Sequence, residues 1–508
     1  MTTALKPLAN LAQSTFSTKL ALALLIAAFG DWLFYDHDVG ISLVIFLIIL
    51  AGGACLMSPR RDRRSLLIAT ILLTFALLPL LEATGIAAIF FGVLGTALAA
   101  VVVTGGIPRG WNTLAASAQR LLLTGALQLI PDFIQARREA QSQGRKWLRL
   151  DAMAAWVIPI LCCAVFVALF ASANPLIEQW LAVFDLSQQS WEIDVARMVV
   201  WIILLAVAWP FLSVRLCEKP LIKKGLLKAE SPNIRSSNLL FGPAAILRSL
   251  VVFNVLFAVQ SGLDAVYLWG GATLPEGMTY AAYAQRGAYP LIITALLAAG
   301  FVLAAMRPGG AGEQSPIIRR LVYLWVGQNV LLVISSILRL ELYVATYSLT
   351  LLRVAAFVWM LLVAVGLILI MVRIALRRSN GWLVGANVLS LALALYACSF
   401  VNFAAVIANH NLSHKRETAP GVTSIDTGYI RTLGPHVIPA VDRYIARKHL
   451  TASDCLVQWR SRIAAAHTGR TKDWRAWTFR DLRLQHYLTR PMDGKAAAST
   501  TIEQPIIP

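Results

Sequence analysis

The sequence predicts an all-α, polytopic transmembrane helix bundle of about 11 spans, with a small helical extracytoplasmic tail at the C-terminus. Three observations carry that prediction. Apolar stretches long enough to cross a bilayer recur from residue 18 to 405, the junctions between them alternate in charge, and the composition turns polar after residue 408. Hydrophobic residues fill 58% of the 508 positions and charged residues only 14%, with a mean hydropathy of +0.67. Soluble domains carry roughly 25% charged residues, so this chain needs hydrocarbon as part of its solvent.

The spans read at 19–35, 39–57, 65–83, 86–105, 151–172, 196–214, 245–269, 288–306, 320–338, 347–373 and 382–405. Each approaches the roughly 20 residues that a helix needs to cross about 30 Å of hydrocarbon. The first reads as a retained helix. Lys6 and Lys19 precede it, but Asp31-Trp32 follow it in place of a small-residue cleavage site.

Charge orders the junctions. The even-numbered ones are basic: Arg60, Arg61, Arg63 and Arg64; Arg109 through Arg149; Arg215 through Arg235; Arg307, Arg319 and Arg320; Arg377 and Arg378. The odd-numbered ones are acidic or nearly neutral, as at Asp36 and Asp38, Glu82, and Glu178 through Asp194. The positive-inside bias then puts the N-terminus in the cytoplasm and the tail outside. The same bias accounts for the net charge of +19, which argues against a nucleic-acid partner.

Two segments read as amphipathic surface helices. Residues 112–142 mix Leu121, Leu122, Ile130 and Phe133 with Arg and Gln and break at Pro131, which fits the cytoplasmic face. Residues 175–190 fit the outer face. The expected organisation is a bundle over 1–408, a helical tail over 409–492, and a disordered end over 493–508. In the tail, Tyr429, Ile430, Leu433, Val437, Val441, Tyr444 and Ile445 have helical spacing, followed by Leu456, Trp459 and Ile463 and by the aromatic-basic run 473–480.

Ionisable groups at bilayer depth are the candidate site, because each costs at least about 2.5 kcal/mol there unless it pairs or faces water. Asp31, Glu82 and Asp264 end the first, third and seventh spans, and Arg286 opens the eighth. Arg339 and Glu341 read as the turn after the ninth. Arg353 reads as the deepest, about 12 residues or 18 Å along the tenth helix, and calls for Asp264 or Glu341 as partner. All seven fall in the outer half, as one ligand or ion-pair cluster. Asn254, Gln328, Asn329 and Asn387 are mid-membrane amides that suit interhelical hydrogen bonds or a polar pathway. No pair of spans is broken in matching halves, which weighs against a secondary transporter.

Other chemistry finds little support. Six cysteines show no CxxC or Cys/His spacing, so neither a disulfide framework nor zinc is expected. The histidines (His37, His410, His414, His436, His449, His467 and His486) read as outer polar surface, since no two in the tail share a helical face with a carboxylate at ligand spacing. Hydrolase, nucleotide-binding, kinase and metalloprotease signatures are absent, and no cofactor is implied. The tail carries 15 Lys and Arg against 8 Asp and Glu, a surplus suited to anionic lipid or an envelope protein.

Several segments are similar to a bacterial multipass family known as a domain of unknown function, the 4173 type, related to the 4153 type. They are Asp31-Trp32-Leu33-Phe34-Tyr35 with Gly40-Ile41-Ser42; Asp264-Ala265-Val266-Tyr267-Leu268-Trp269 with Arg286-Gly287-Ala288-Tyr289-Pro290-Leu291; Arg339-Leu340-Glu341-Leu342-Tyr343 with Arg353; and Asn409-His410-Asn411, Leu433-Gly434 and Asp473-Trp474-Arg475. The chain departs at Phe403 and His436, where the resemblance implies a short acidic signature. The resemblance implies an integral inner-membrane protein and supplies no activity. The reading that follows is a non-enzymatic envelope sensor, regulator or assembly partner. A transporter or lipid-handling protein is the alternative, and an enzyme acting on a lipid-linked substrate through Glu341, Asp264 or His37 comes third.

Overall fold

The computed structural model describes residues 16–58, 62–105, 111–142, 195–214, 243–269, 297, 301, 315–413 and 426–490. Every regular element among them is a helix. Among the described residues seven helices are long and apolar enough to cross a membrane, and two shorter apolar helices accompany them. The spans expected at 151–172 and, but for Leu297 and Phe301, at 288–306, the segment 175–190, Arg286 and the end 493–508 lie outside the described residues.

The chain forms two compact units, divided between residues 222 and 223 apart from the short segment Gly85–Ala88. The first contains α1 (Phe16–Phe34), α2 (Ile41–Met57), α3 (Arg63–Glu82), α4 (Ile86–Gly105), α5 (Trp111–Thr124), α6 (Leu129–Ser142) and α7 (Val195–Leu212). α1 and α7 run antiparallel. The Phe16 and Trp209 rings meet at 5.3 Å at one end, and Asp31 meets Arg197 at the other. Gly30 permits this approach, since a Cβ there would lie 2.8 Å from Leu204 and 2.9 Å from Phe46. Asp62 caps α3 by accepting from the Arg64 and Ser65 amides.

The amphipathic segment breaks at Gly125, not at Pro131. A short 3₁₀ turn (Ala126–Gln128) separates α5 from α6. Gly125 sits against the Leu121 carbonyl and Pro210, where no side chain fits. Pro131 falls in the first turn of α6, where its missing N–H has no helical acceptor to serve. The Trp209 indole N–H donates to Asp132 at 3.1 Å, tying α6 to α7.

The second unit holds α8 (Pro243–Asp264), continued by a π turn (Ala265–Trp269), α9 (Pro316–Tyr347), α10 (Leu351–Ala375) and α11 (Asn380–Phe400). α9 is one helix of 32 residues, opened by the Ser315 cap with Pro316 at its first position. The turn expected after residue 338 is therefore absent: Arg339 and Glu341 lie inside α9. Hydropathy falls at Arg339, but no Gly or Pro ends the helix there, and it continues to Tyr347. The real turn is 348–350, with Ser348 in the left-handed region at φ 73°. α8 and α9 are parallel, because Asn254 faces Leu321 and Gln328 while Asp264 faces Arg339. Leu250, Val322, Trp325, Met360, Leu367 and Ile407 anchor the core of this unit.

The C-terminal helices are α12 (Phe403–Ser413), α13 (Thr427–Thr432), α14 (Ile438–Lys448), α15 (Cys455–Arg470) and α16 (Phe479–Thr489). They close over Ala408, Leu412, Ile430, Val437, Val441 and Leu456. An Asp442–Arg460 pair, bonded at 2.7 and 2.8 Å, joins α14 to α15. Polar contacts root this group on the spans. Asn411 accepts from the Leu349 amide at 2.7 Å and donates to its carbonyl at 2.9 Å, and the Tyr429 hydroxyl accepts from the Leu351 amide at 2.8 Å.

Candidate functional site

At 100° per residue, one face of α8 reads Leu250, Asn254, Phe257, Ser261 and Asp264. The facing side of α9 reads Ile318, Val322, Trp325, Gln328 or Asn329, Ser335 or Ser336, and Arg339. Both faces change from apolar to polar in the same direction, and because the helices are parallel the polar halves meet. The result is a buried seam.

Its far end is an ion pair. The Arg339 guanidinium donates to the Asp264 carboxylate, with the side chains 4% and 1% exposed. Gln260 donates to the same carboxylate oxygen at 3.1 Å. Charges this deep are tolerated because they are paired and hydrogen-bonded.

The amides continue the seam. Asn254 donates to the carbonyls of Leu250 at 2.7 Å and Leu321 at 3.2 Å. Gln328 donates to the Asn254 carbonyl at 3.2 Å, and Asn329 to the Trp325 carbonyl at 2.8 Å. Their donors are thus engaged, while the side-chain oxygens of Asn254, Gln328 and Asn329 and the Ser261 hydroxyl are buried without hydrogen-bond partners among the described residues. A buried acceptor in that state costs about 1–3 kcal/mol, so the seam favours water or another donor in those positions.

The near end is closed. Leu250 and Val322 are fully buried, Ile246 and Ile318 nearly so, and Trp325 packs against Phe253, Phe257 and Phe301 at ring separations of 5.1 to 5.6 Å. Among the described residues, the polar path ends on this apolar plug.

The remaining expected residues go elsewhere. In the first unit, Asp31 is buried and takes Arg197 through contacts of 2.6 to 3.1 Å, and Arg197 also lies 5.1 Å over the Tyr35 ring. Glu82 is buried as the last residue of α3. Glu341 is exposed, two residues and about 200° around α9 from Arg339. Arg353 takes neither Asp264 nor Glu341. It lies in the first turn of α10, donates to the Tyr347 and Ser348 carbonyls, and stacks 4.4 Å over Tyr343. Because the turn comes later than hydropathy suggested, Arg353 is shallow and caps the carbonyl end of α9. Asn387 donates to the Leu383 carbonyl, and its oxygen would lie 3.1 Å from a Cβ on Gly366 of α10.

Sequence reasoning missed two groups. Arg197 opens its span without any periodic signal pointing to Asp31. In the tail, His467 is buried and His436 largely so. His436 Nε2 lies 3.4 Å and His467 Nδ1 3.8 Å from Asp481, which also accepts from Arg470 at 3.0 Å. The three residues come from separate helical elements, so no i,i+4 spacing could reveal them. Burial lowers His436 to about 4; the Asp481 charge opposes that shift, and Arg480, His467 and Arg470 reinforce it. Burial lowers His467 as well. Among the described residues no group of His, Cys, Asp and Glu has a metal-holding arrangement.

No curated protein and no solved structure matches the sequence. A family described as a domain of unknown function, DUF4153, matches residues 19–444, from α1 into α14. The match is to this type rather than to the related 4173 type that the signature segments resemble. With most of its length matched and its apolar helices suited to repeated crossing, this chain belongs to the DUF4153 family.

Proposed function

We propose that this multi-pass membrane protein is a non-enzymatic sensor, regulator or assembly partner of the bacterial envelope. It resides in the inner membrane with about eleven spans, its N-terminus cytoplasmic and its C-terminal helices extracytoplasmic. Helix directions within each unit support the count. α7 is antiparallel to α1 and parallel to α2, whose Gly53 lies by Leu212. The parallel course of α8 and α9 supports one further crossing between them. Arg319, Arg320, Arg377 and Arg378 lie at the end of their unit opposite Asp264, which supports the orientation.

The apolar plug beneath the seam carries the functional reading. A transporter needs a polar route through the membrane, and among the described residues this route stops between Asn254 and Leu250. Catalysis in the seam needs a free acid or base aimed into it, yet Asp264 is paired there and Glu341 lies about 200° around α9, on the exposed side. A buried polar seam closed on one side, in a unit whose other end carries the C-terminal helices on the 348–351 turn, suits a protein that registers a signal and passes it to a partner.

The test is a deletion strain combined with proteoliposomes. Loss of the protein should alter envelope-stress reporters, while purified protein should move neither inorganic ions nor lipid across vesicles. Flux that Asn329→Leu abolishes would favour the transport or lipid-handling reading, for which the unpaired amide oxygens are the supporting observation. A periplasm-active reporter fused at residue 490 tests the orientation separately.

A further inference from the structure

We infer that the C-terminal helices rest on the bilayer surface and bind anionic phospholipid headgroups through Trp474, Phe479, Arg480 and Arg483. The inference rests on α11 being a span; it does not depend on which side the tail occupies.

The last carbonyls of a helix lack intrahelical donors and carry the negative end of its dipole. At the end of α11 the Arg480 guanidinium supplies donors, 3.4 Å from the carbonyls of both Ser399 and Val401. This contact sets the first turn of α16 at the height where the last span leaves hydrocarbon. Orientation follows from the cap. Thr478 and Asp481 bond each other, and Asp481 and Leu484 turn inward and are buried. Phe479 and Arg483, four residues apart, therefore share the outer face, where the guanidinium lies 5.1 Å over the ring.

The outer face is apolar as well as basic. Phe479 is 47% and Trp474 46% exposed, and Phe400 and Val401 continue the exposed surface onto the end of α11. Aromatic rings among arginines are the composition of membrane-interface segments, where rings sit at headgroup depth and guanidinium groups meet phosphate. A protein partner is disfavoured by position, because a surface level with the end of a span faces headgroups. The tail's basic surplus selects lipids with net negative charge.

The test is hydrogen exchange on full-length protein in nanodiscs of phosphatidylcholine, alone or mixed with phosphatidylglycerol. Amides of 474–484 should exchange more slowly in the anionic discs, by about fivefold for each arginine engaged, and high salt should remove the difference. Arg483→Glu, which leaves the Arg480 anchor in place, should erase most of it without changing exchange in α14 and α15, the control for folding. Trp474→Ala should speed exchange in both disc types. Equal exchange in the two compositions overturns the inference, as does protection that survives Arg483→Glu. Protection found only in native membranes would point to a protein partner and also overturn it. None of these failures touches the proposed function, which rests on the plug.

Discussion

Replacing Arg339 by leucine should be among the most damaging single changes in the second unit. The substitution removes the Arg339 guanidinium from Asp264, a carboxylate only 1% exposed. Removing one partner of a buried pair costs about 3–5 kcal/mol, mostly as the penalty on the charge left behind. Gln260 can satisfy one oxygen but supplies no charge. Two further variants separate this cause from simple loss of packing. Arg339→Leu with Asp264→Leu removes both charges and should recover at least about 2 kcal/mol of the single-mutant loss. Arg353→Leu, which forfeits carbonyl capping at a helix end and the stacking over Tyr343, should cost about 1–2 kcal/mol. The assay is denaturant titration of purified protein in mixed micelles, followed by near-UV circular dichroism. A double mutant as unstable as Arg339→Leu would refute the argument, as would equal penalties for Arg339→Leu and Arg353→Leu.

Acid should loosen the C-terminal helices. His436 and His467 are both held below the ordinary value of 6.5, so the unfolded chain takes up protons first. Their contribution is fully present above pH 6.5 and is lost as pH falls; with His436 at about 4, the loss reaches on the order of 3 kcal/mol. Hydrogen exchange in α14–α16 across that range should show it, and His436→Phe should flatten the profile. Asn411→Ala should cost about 2 kcal/mol by orphaning both polar groups of Leu349, read as faster exchange at 348–351. Ser348→Gly should stabilise by about 1 kcal/mol through relief of its positive φ, measured in the same titration.

Hydropathy located the described spans because hydrocarbon demands continuous apolar helix, and α4 matches its expected limits of 86–105. It failed at the end of α9. A polar residue lowers hydropathy without breaking a helix, so Arg339 passed for a turn and Arg353 for a buried charge. The amides Asn254, Gln328 and Asn329 were legible as polar positions on apolar helices, but their common seam needed the parallel pairing of α8 with α9. Partners distant in sequence were illegible: Asp31 and Arg197 stand 166 residues apart.

The length of α9 has a consequence for the membrane itself. At 1.5 Å per residue its 32 residues span about 48 Å, against roughly 30 Å of hydrocarbon. With Arg319 and Arg320 fixing the start, Arg339 reaches the opposite rim of the hydrocarbon, and Tyr343 and Tyr347 stand among headgroups. The Asp264–Arg339 pair is 1% and 4% exposed with protein alone around it, so packing keeps it dry at the rim where lipid could not. A bilayer thinner than the helix is met by tilt or local thickening, and the pair keeps its surroundings. Reconstitution in a series of acyl-chain lengths should leave the Arg339→Leu penalty flat, and a penalty that rises with thickness would show that lipid sets the pair's environment.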